Sequence, residues 1–121
     1  MEQELYDLIF NKIKKLGYDC YQSLPRKGNK YPFVIVGETQ IMPRATKSFA
    51  VGEISIFIHV WTSDRSRAEC QRICRKIRRE CGKLEKLHSF FMFESNTRIL
   101  IDDTTNQTLW HGVMDFNYKF Y

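Results

Sequence analysis

Apolar residues recur along this 121-residue chain with two different periods, and each change of period marks a boundary between elements. Residues 2 to 16 set Leu5, Leu8, Ile9, Ile13 and Leu16 at the spacing of one helix face. Acids occupy the first turn, lysines the last, and Gly17 follows as a stop, so an amphipathic helix is predicted. The segment YDCYQSLPRKGNKYP has only a short apolar stretch before Pro25, Gly28 and Pro32; it reads as a loop with a brief edge strand around Asp19 to Gln22. Phe33 to Gln40 is rich in β-branched residues and suits a strand buried at its start and exposed at its end.

The next segment, IMPRATKSFAVG at 41–52, carries Pro43 and Gly52 and no sustained period. It reads as a loop longer than a tight hairpin needs, and long loops in compact domains tend to carry function. Glu53 to Trp61 then alternates strictly. Ile54, Ile56, Ile58 and Val60 take one face, which should cover helices, and Glu53, Ser55, Phe57, His59 and Trp61 take the other.

Ser66 and Glu69 have the form of a capping box, with Ser63 as a competing cap. Beyond them Cys70, Ile73, Cys74, Ile77, Cys81 and Leu84 share an arc of roughly 100° on a helix whose remaining surface is basic, and Gly82 loosens or ends it. FFMFES and RILIDD read as strand pieces joined by a kink at Asn96, and TTNQT as a turn cluster. A last strand, Leu109 to Phe120, puts Trp110, Met114, Phe116, Tyr118 and Phe120 on one face. The order α-β-β-α-β-β predicts an α+β two-layer sandwich: a mostly antiparallel sheet of four to five strands with two helices packed on one face.

Composition narrows the class. The length suits a single domain over residues 1–121, and nine Phe, six Tyr and two Trp in a chain that is 43% hydrophobic argue for a folded globule. The chain has neither a signal-peptide pattern at its start nor a membrane-length apolar run, which predicts a soluble intracellular protein. Between Asp64 and Lys83 stand eight Lys/Arg against three Asp/Glu, an excess of five that equals the net charge of the whole chain. Arg72, Arg75, Lys76 and Arg79 are the candidate basic surface. Clustered cations of this kind suit nucleic-acid phosphates, an acidic protein or plain solvent, and no stacking aromatic or base-reading element is interleaved with them.

Chemical motifs are weak. Cys70-x3-Cys74 with Cys81 and His88 has the residue types of a zinc site, but the thiols alternate with Ile73 and Ile77 on the face that must be buried, which favours core packing. His59, His88 and His111 lack any nucleophile motif, and Asp102-Asp103 adjoins a turn where solvated aspartates are common. No catalytic residue, metal site or cofactor is expected. Phe57 and Trp61 lie opposite the aliphatic face of their strand and need a partner: a neighbouring subunit, or a long loop folded over them.

The order of these pieces, with Tyr31-Pro32-Phe33, His59-Val60-Trp61 and Trp110-His111-Gly112-Val113 as its sharpest motifs, resembles the tail-completion or tail-terminator proteins of long-tailed bacteriophages across nearly the whole chain. The resemblance implies a structural virion protein without substrate or cofactor. Such a protein forms a ring, typically a hexamer, on the finished tail tube, ends its growth and offers the head-attachment surface. Implied partners are other copies of the chain, the tail tube protein and head–tail connector proteins, with DNA in the channel nearby and no membrane. Implied locations are the host cytoplasm during assembly and then the head-proximal end of the virion tail. In that setting Met42, Arg44, Lys47 and Phe49 of the 41–52 loop, with Phe57 and Trp61, become candidate subunit or tube contacts. Neck or head-closure proteins act at the same place and are the neighbouring alternative; a nucleic-acid-binding module using the basic helix at 64–83 is the alternative from a different class.

Overall fold

The computed structural model describes residues 2–24, 30–45, 50–63, 67–86, 90–103 and 108–120, with backbone alone for 43–45, 50–51 and 85–86. Helix α1 spans Glu2–Lys15 and buries Leu5, Ile9 and Ile13, one per turn of a single stripe. Gly17 stops it at φ 97°, a left-handed conformation that costs glycine nothing, and its N–H bonds the Lys14 carbonyl at 3.0 Å. Helix α2 spans Arg67–Cys81, and a 3-10 turn at Gly82–Lys86 follows, so Gly82 does end the α-helix. Ser63 closes the strand before α2, and Ser66, the other proposed cap, lies outside the described residues.

Among the described residues five strands form one sheet: β1 (Cys20–Tyr21), β2 (Phe33–Ala45), β3 (Ala50–Ser63), β4 (Phe90–Asp102) and β5 (Leu109–Phe120), in the spatial order β1-β2-β3-β5-β4. Only the β1–β2 pair is parallel; the others are antiparallel. This is the expected α+β sandwich, with the short β1 supplying the fifth strand.

Two expectations change. The described part of the 41–52 segment is strand instead of loop: β2 and β3 stay paired from Phe33↔Trp61 out to Ala45↔Ala50, as a long two-stranded arm, and residues 46–49 lie outside the described residues. Pro43 is tolerated opposite Gly52 because β1 covers β2 only at Val34 and Ile35, leaving Pro43 on an edge strand where a missing N–H costs little. Residues 90–102 form one continuous strand, not two pieces kinked at Asn96. The irregularity lies between Met92 and Glu94, where Phe93 is the extra residue of a bulge, while Asn96 pairs normally with Asp115.

Both helices lie on one side of the sheet. Val34, Val36, Ile54, Ile56, Ile58, Val60, Met114, Phe116 and Tyr118 face Leu5, Ile9 and Ile13 of α1 and the Cys70, Ile73, Cys74, Ile77 and Cys81 stripe of α2. The cysteines are therefore buried core, as their alternation with isoleucine predicts. The Tyr118 hydroxyl donates to the Cys81 carbonyl at 2.9 Å, satisfying an acceptor at the end of α2 that burial would otherwise leave costly. Gly112 is where α2 comes nearest the sheet: a β-carbon there would stand 2.5 Å from Cys74 Sγ and 3.1 Å from Cys70 Sγ.

Candidate functional site

Alternation puts every second residue of β2, β3, β5 and β4 on the face away from the helices, which no described element covers. An aromatic ladder crosses that face. The Tyr31 and Phe33 rings lie 5.4 Å apart between centroids, Phe33 and Trp61 6.5 Å, and Trp61 stacks on His111 at 3.7 Å and 9°. His59 Nδ1 and His111 Nε2 share a hydrogen bond at 2.9 Å, and Glu38 Oε1 stands 3.6 Å from the other His59 nitrogen. Burial, with His59 beside it, pushes His111 down to about 4, so it is neutral at ordinary pH. Register explains the meeting: Trp61 pairs with His111 and His59 with Val113, making the two histidines diagonal neighbours.

Trp61 is thus already packed within its own subunit rather than standing free. Its indole N–H is buried and has no acceptor among the described residues. Phe57 is half-buried, while Phe91, Phe93 and Leu100 of β4 extend the same face and are exposed. Lys119 Nζ sits 5.1 Å from the Phe93 ring centroid. Met42 also belongs to this face, opposite Glu53. Arg44 pairs with Val51 in the two-stranded arm, its side chain not described, and Lys47 and Phe49 lie outside the described residues.

The candidate basic surface divides. Arg75 turns towards β4 and lines a groove with Arg67, Gln71, Arg78, Thr97 and Ile99, a cavity of about 340 Å³. Arg78 Nε donates to Ser95 Oγ of β4 at 3.0 Å. Lys76 instead lies over Tyr18, 5.9 Å from its centroid, and Arg72 acts on the same tyrosine; Arg79 is exposed. Arg67 and Arg78 join Arg75 where Arg72, Lys76 and Arg79 do not. The signal was available in the Arg67, Gln71, Arg75, Arg78 spacing, which repeats at helical period, but the position of β4 beside that row was not.

The α1 side carries a contrasting groove, lined by Glu2, Gln3, Tyr6, Gln22, Gly37, Glu38 and Thr39, in which the Thr39 hydroxyl donates to the Glu2 carboxylate. Neither groove assembles a nucleophile with a base, and no three metal-ligating side chains cluster among the described residues. Cys20 and Cys81 are pushed up to about 12 by burial, while in the Cys70–Cys74 contact the shared hydrogen bond lowers Cys70 and raises Cys74. Those sulfurs are shut off from solvent. His88 lies outside the described residues; Asp102 is half-buried at the end of β4 and Asp103 is exposed. No helix is long and apolar enough to cross a membrane among the described residues.

Residues 16–120 match the family described as "Tail completion protein gp17". No curated protein matches the chain in sequence. Among solved structures, a chain from "Virion of native gene transfer agent (GTA) particle" superposes with a TM-score of 0.58 at 11% identity, covering 94% of this chain and 91% of its own, a likeness of fold. The motifs Tyr31-Pro32-Phe33, His59-Val60-Trp61 and Trp110-His111-Gly112-Val113 converge in the structure, four of their rings forming the ladder with His59 while Gly112 seats α2.

Proposed function

Because the chain belongs to the tail completion protein gp17 family, whose role in phage tails is structural, we propose that it forms a ring, a hexamer, on the finished end of the tail tube. The ring ends tube growth and presents the surface that head-side connector proteins join, so the protein passes from the host cytoplasm to the head-proximal end of the virion tail. The observation that carries this reading is the bare sheet face, where half-buried Phe57 of β3 and exposed Phe91, Phe93 and Leu100 of β4, set among polar residues such as Asn96, Arg98, Asp115 and Asn117, have no cover among the described residues. Large rings on an uncovered sheet face offer anchors to a partner subunit, with the polar residues between them free to hydrogen-bond across the contact. Met42, Phe57 and the edge of Trp61, with Arg44, Lys47 and Phe49 of the 41–52 segment, supply contacts to the tube or a neighbour.

Sedimentation and native mass measurement over a range of concentrations, with and without purified tail tubes, test the proposal. A ring on tube ends is expected, whether or not the free protein is monomeric. A protein that neither self-associates nor binds tubes refutes it, and one that binds only head-side connectors supports the neck or head-closure role instead. The arginine groove favours a second reading, contact with DNA phosphates. Anisotropy with duplex DNA at two salt concentrations checks it, since phosphate contacts weaken steeply as salt rises.

A further inference from the structure

The two edges of the sheet are bare in a complementary way. At one end β4, 13 residues long, has β5 on one side and, among the described residues, no strand on the other. At the other end β1 covers β2 only at Val34 and Ile35, so the outer side of β2 from Gly37 to Ala45 has no strand beside it among the described residues. Long unpaired edges are templates for another chain.

Building on the ring reading, we propose that neighbouring copies join edge to edge, β4 of one adding to the outer side of β2 of the next, so that the subunit sheets continue into one another around the ring. Strand direction permits it. The β2–β3, β3–β5 and β5–β4 pairs are all antiparallel, so β4 runs opposite to β2. A second copy placed beside the first in nearly the same orientation brings its β2 antiparallel to β4, continuing the alternation. Repeating that head-to-tail step closes a ring when the rotation per step allows it.

Charge selects the same pairing. Arg67, Arg75 and Arg78 flank β4 on the helix side, with Arg78 tethered to the strand through Ser95. Glu2 and Glu38 belong to the groove at the edge of β2: Glu2, fixed by Thr39, stands on the helix side, and Glu38, its side chain 69% exposed, stands at the same edge but reaches the open face beside His59. The head-to-tail contact brings cations to anions. Pairing β4 with β4 about a two-fold axis, helices on one side, would instead set the arginine rows against each other, and like charges across an interface are costly. Apolar surface agrees: Ile41 on β2 is 46% exposed and points to the helix side, level through Ile54 and Tyr118 with half-buried Met92 of β4 on the same side.

The test reverses one edge at a time. Arg75→Glu with Arg78→Glu inverts the β4 edge, and Glu2→Lys with Glu38→Lys inverts the β2 edge; circular dichroism and melting confirm that each variant folds. On purified tail tubes, each variant alone should lose ring occupancy by about tenfold or more, the order expected for close charge pairs turned repulsive. A mixture of the two should restore rings of alternating composition, and so should one chain carrying all four changes. Amide hydrogen exchange gives an independent reading: in wild-type rings, amides of β4 and of residues 37–45 should slow relative to the free subunit.

Wild-type rings whose β4 amides stay fast, or single-edge variants that assemble like wild type, overturn the edge pairing and leave the ring standing. A wild type that never assembles on tubes removes both. Variants that lose only salt-sensitive binding to duplex DNA assign the arginines to nucleic acid and overturn the pairing.

Discussion

Gly112 is the position where one added carbon would cost most. The β-carbon of an alanine would stand 2.5 Å from Cys74 Sγ, and both sulfurs it meets belong to α2, which is itself packed onto β3, β4 and β5. The helix must shift to make room, and overpacking of this kind costs about 1–3 kcal/mol. Gly112→Ala should lower the denaturation midpoint accordingly, and adding Cys74→Ala, which removes the nearer sulfur, should recover part of the loss. An unchanged midpoint would show that α2 slides freely. The fully buried side chains around it, from Cys70 and Cys81 to Met114 and Phe116, predict otherwise.

His111 gives the second residue-scale expectation. In the folded protein it is held at about 4, while the unfolded chain takes up its proton near the ordinary 6.5. Between those values the unfolded state binds more protons, so the stability present above pH 6.5 declines as pH falls towards 4. Burial and His59 oppose the proton and outweigh Asp102, which favours it. Half-exposure keeps the effect modest. Denaturation midpoints of wild type and His111→Gln, followed from pH 7.5 to 4, should converge as pH falls. A gap that widens towards acid contradicts this origin of the shift.

At the scale of elements, the sequence was readable wherever one face is buried without interruption. The stripes of α1 and α2 and the alternation of β3 and β5 each carry a single period because one core lies against them all. Where pairing depends on a partner strand, the pattern is silent. The outer part of β2 holds its course through Pro43 because β3 stays opposite it out to Ala50, and nothing in IMPRATKSFAVG alone encodes that register. The bulge in β4 fell at Phe93 instead of Asn96 for the same reason: turn-forming residue types were visible, but the ladder with β5 was not. The candidate site divides likewise. The residues of the open face follow from alternation in Glu53 to Trp61. The His59–His111 contact follows only from the β3–β5 register, and the Arg67, Arg75 and Arg78 groove only from the docking of α2 beside β4.

At the scale of the whole molecule, charge has a direction. Basic side chains gather along the β4 edge and acidic ones along the α1 and β2 edge, so the subunit is polar across its sheet as well as positive overall. A subunit of this form should associate head to tail with a strength that depends on screening. The Debye length shrinks from about 10 Å at 0.1 M salt to about 3 Å at 1 M, which weakens attraction between the grooves during approach. Backbone hydrogen bonds and burial of Ile41 are not screened, so salt should reduce assembly without abolishing it. Sedimentation across concentration and salt should therefore show the onset of association moving severalfold higher in concentration between about 0.05 M and 0.5 M. The chain with both edges reversed should follow the same salt slope as wild type, because it restores every pair with the signs exchanged. Assembly that strengthens with salt would place the contact on the open face instead, where Phe57, Phe91, Phe93 and Leu100 supply apolar side chains and the groove arginines have no part.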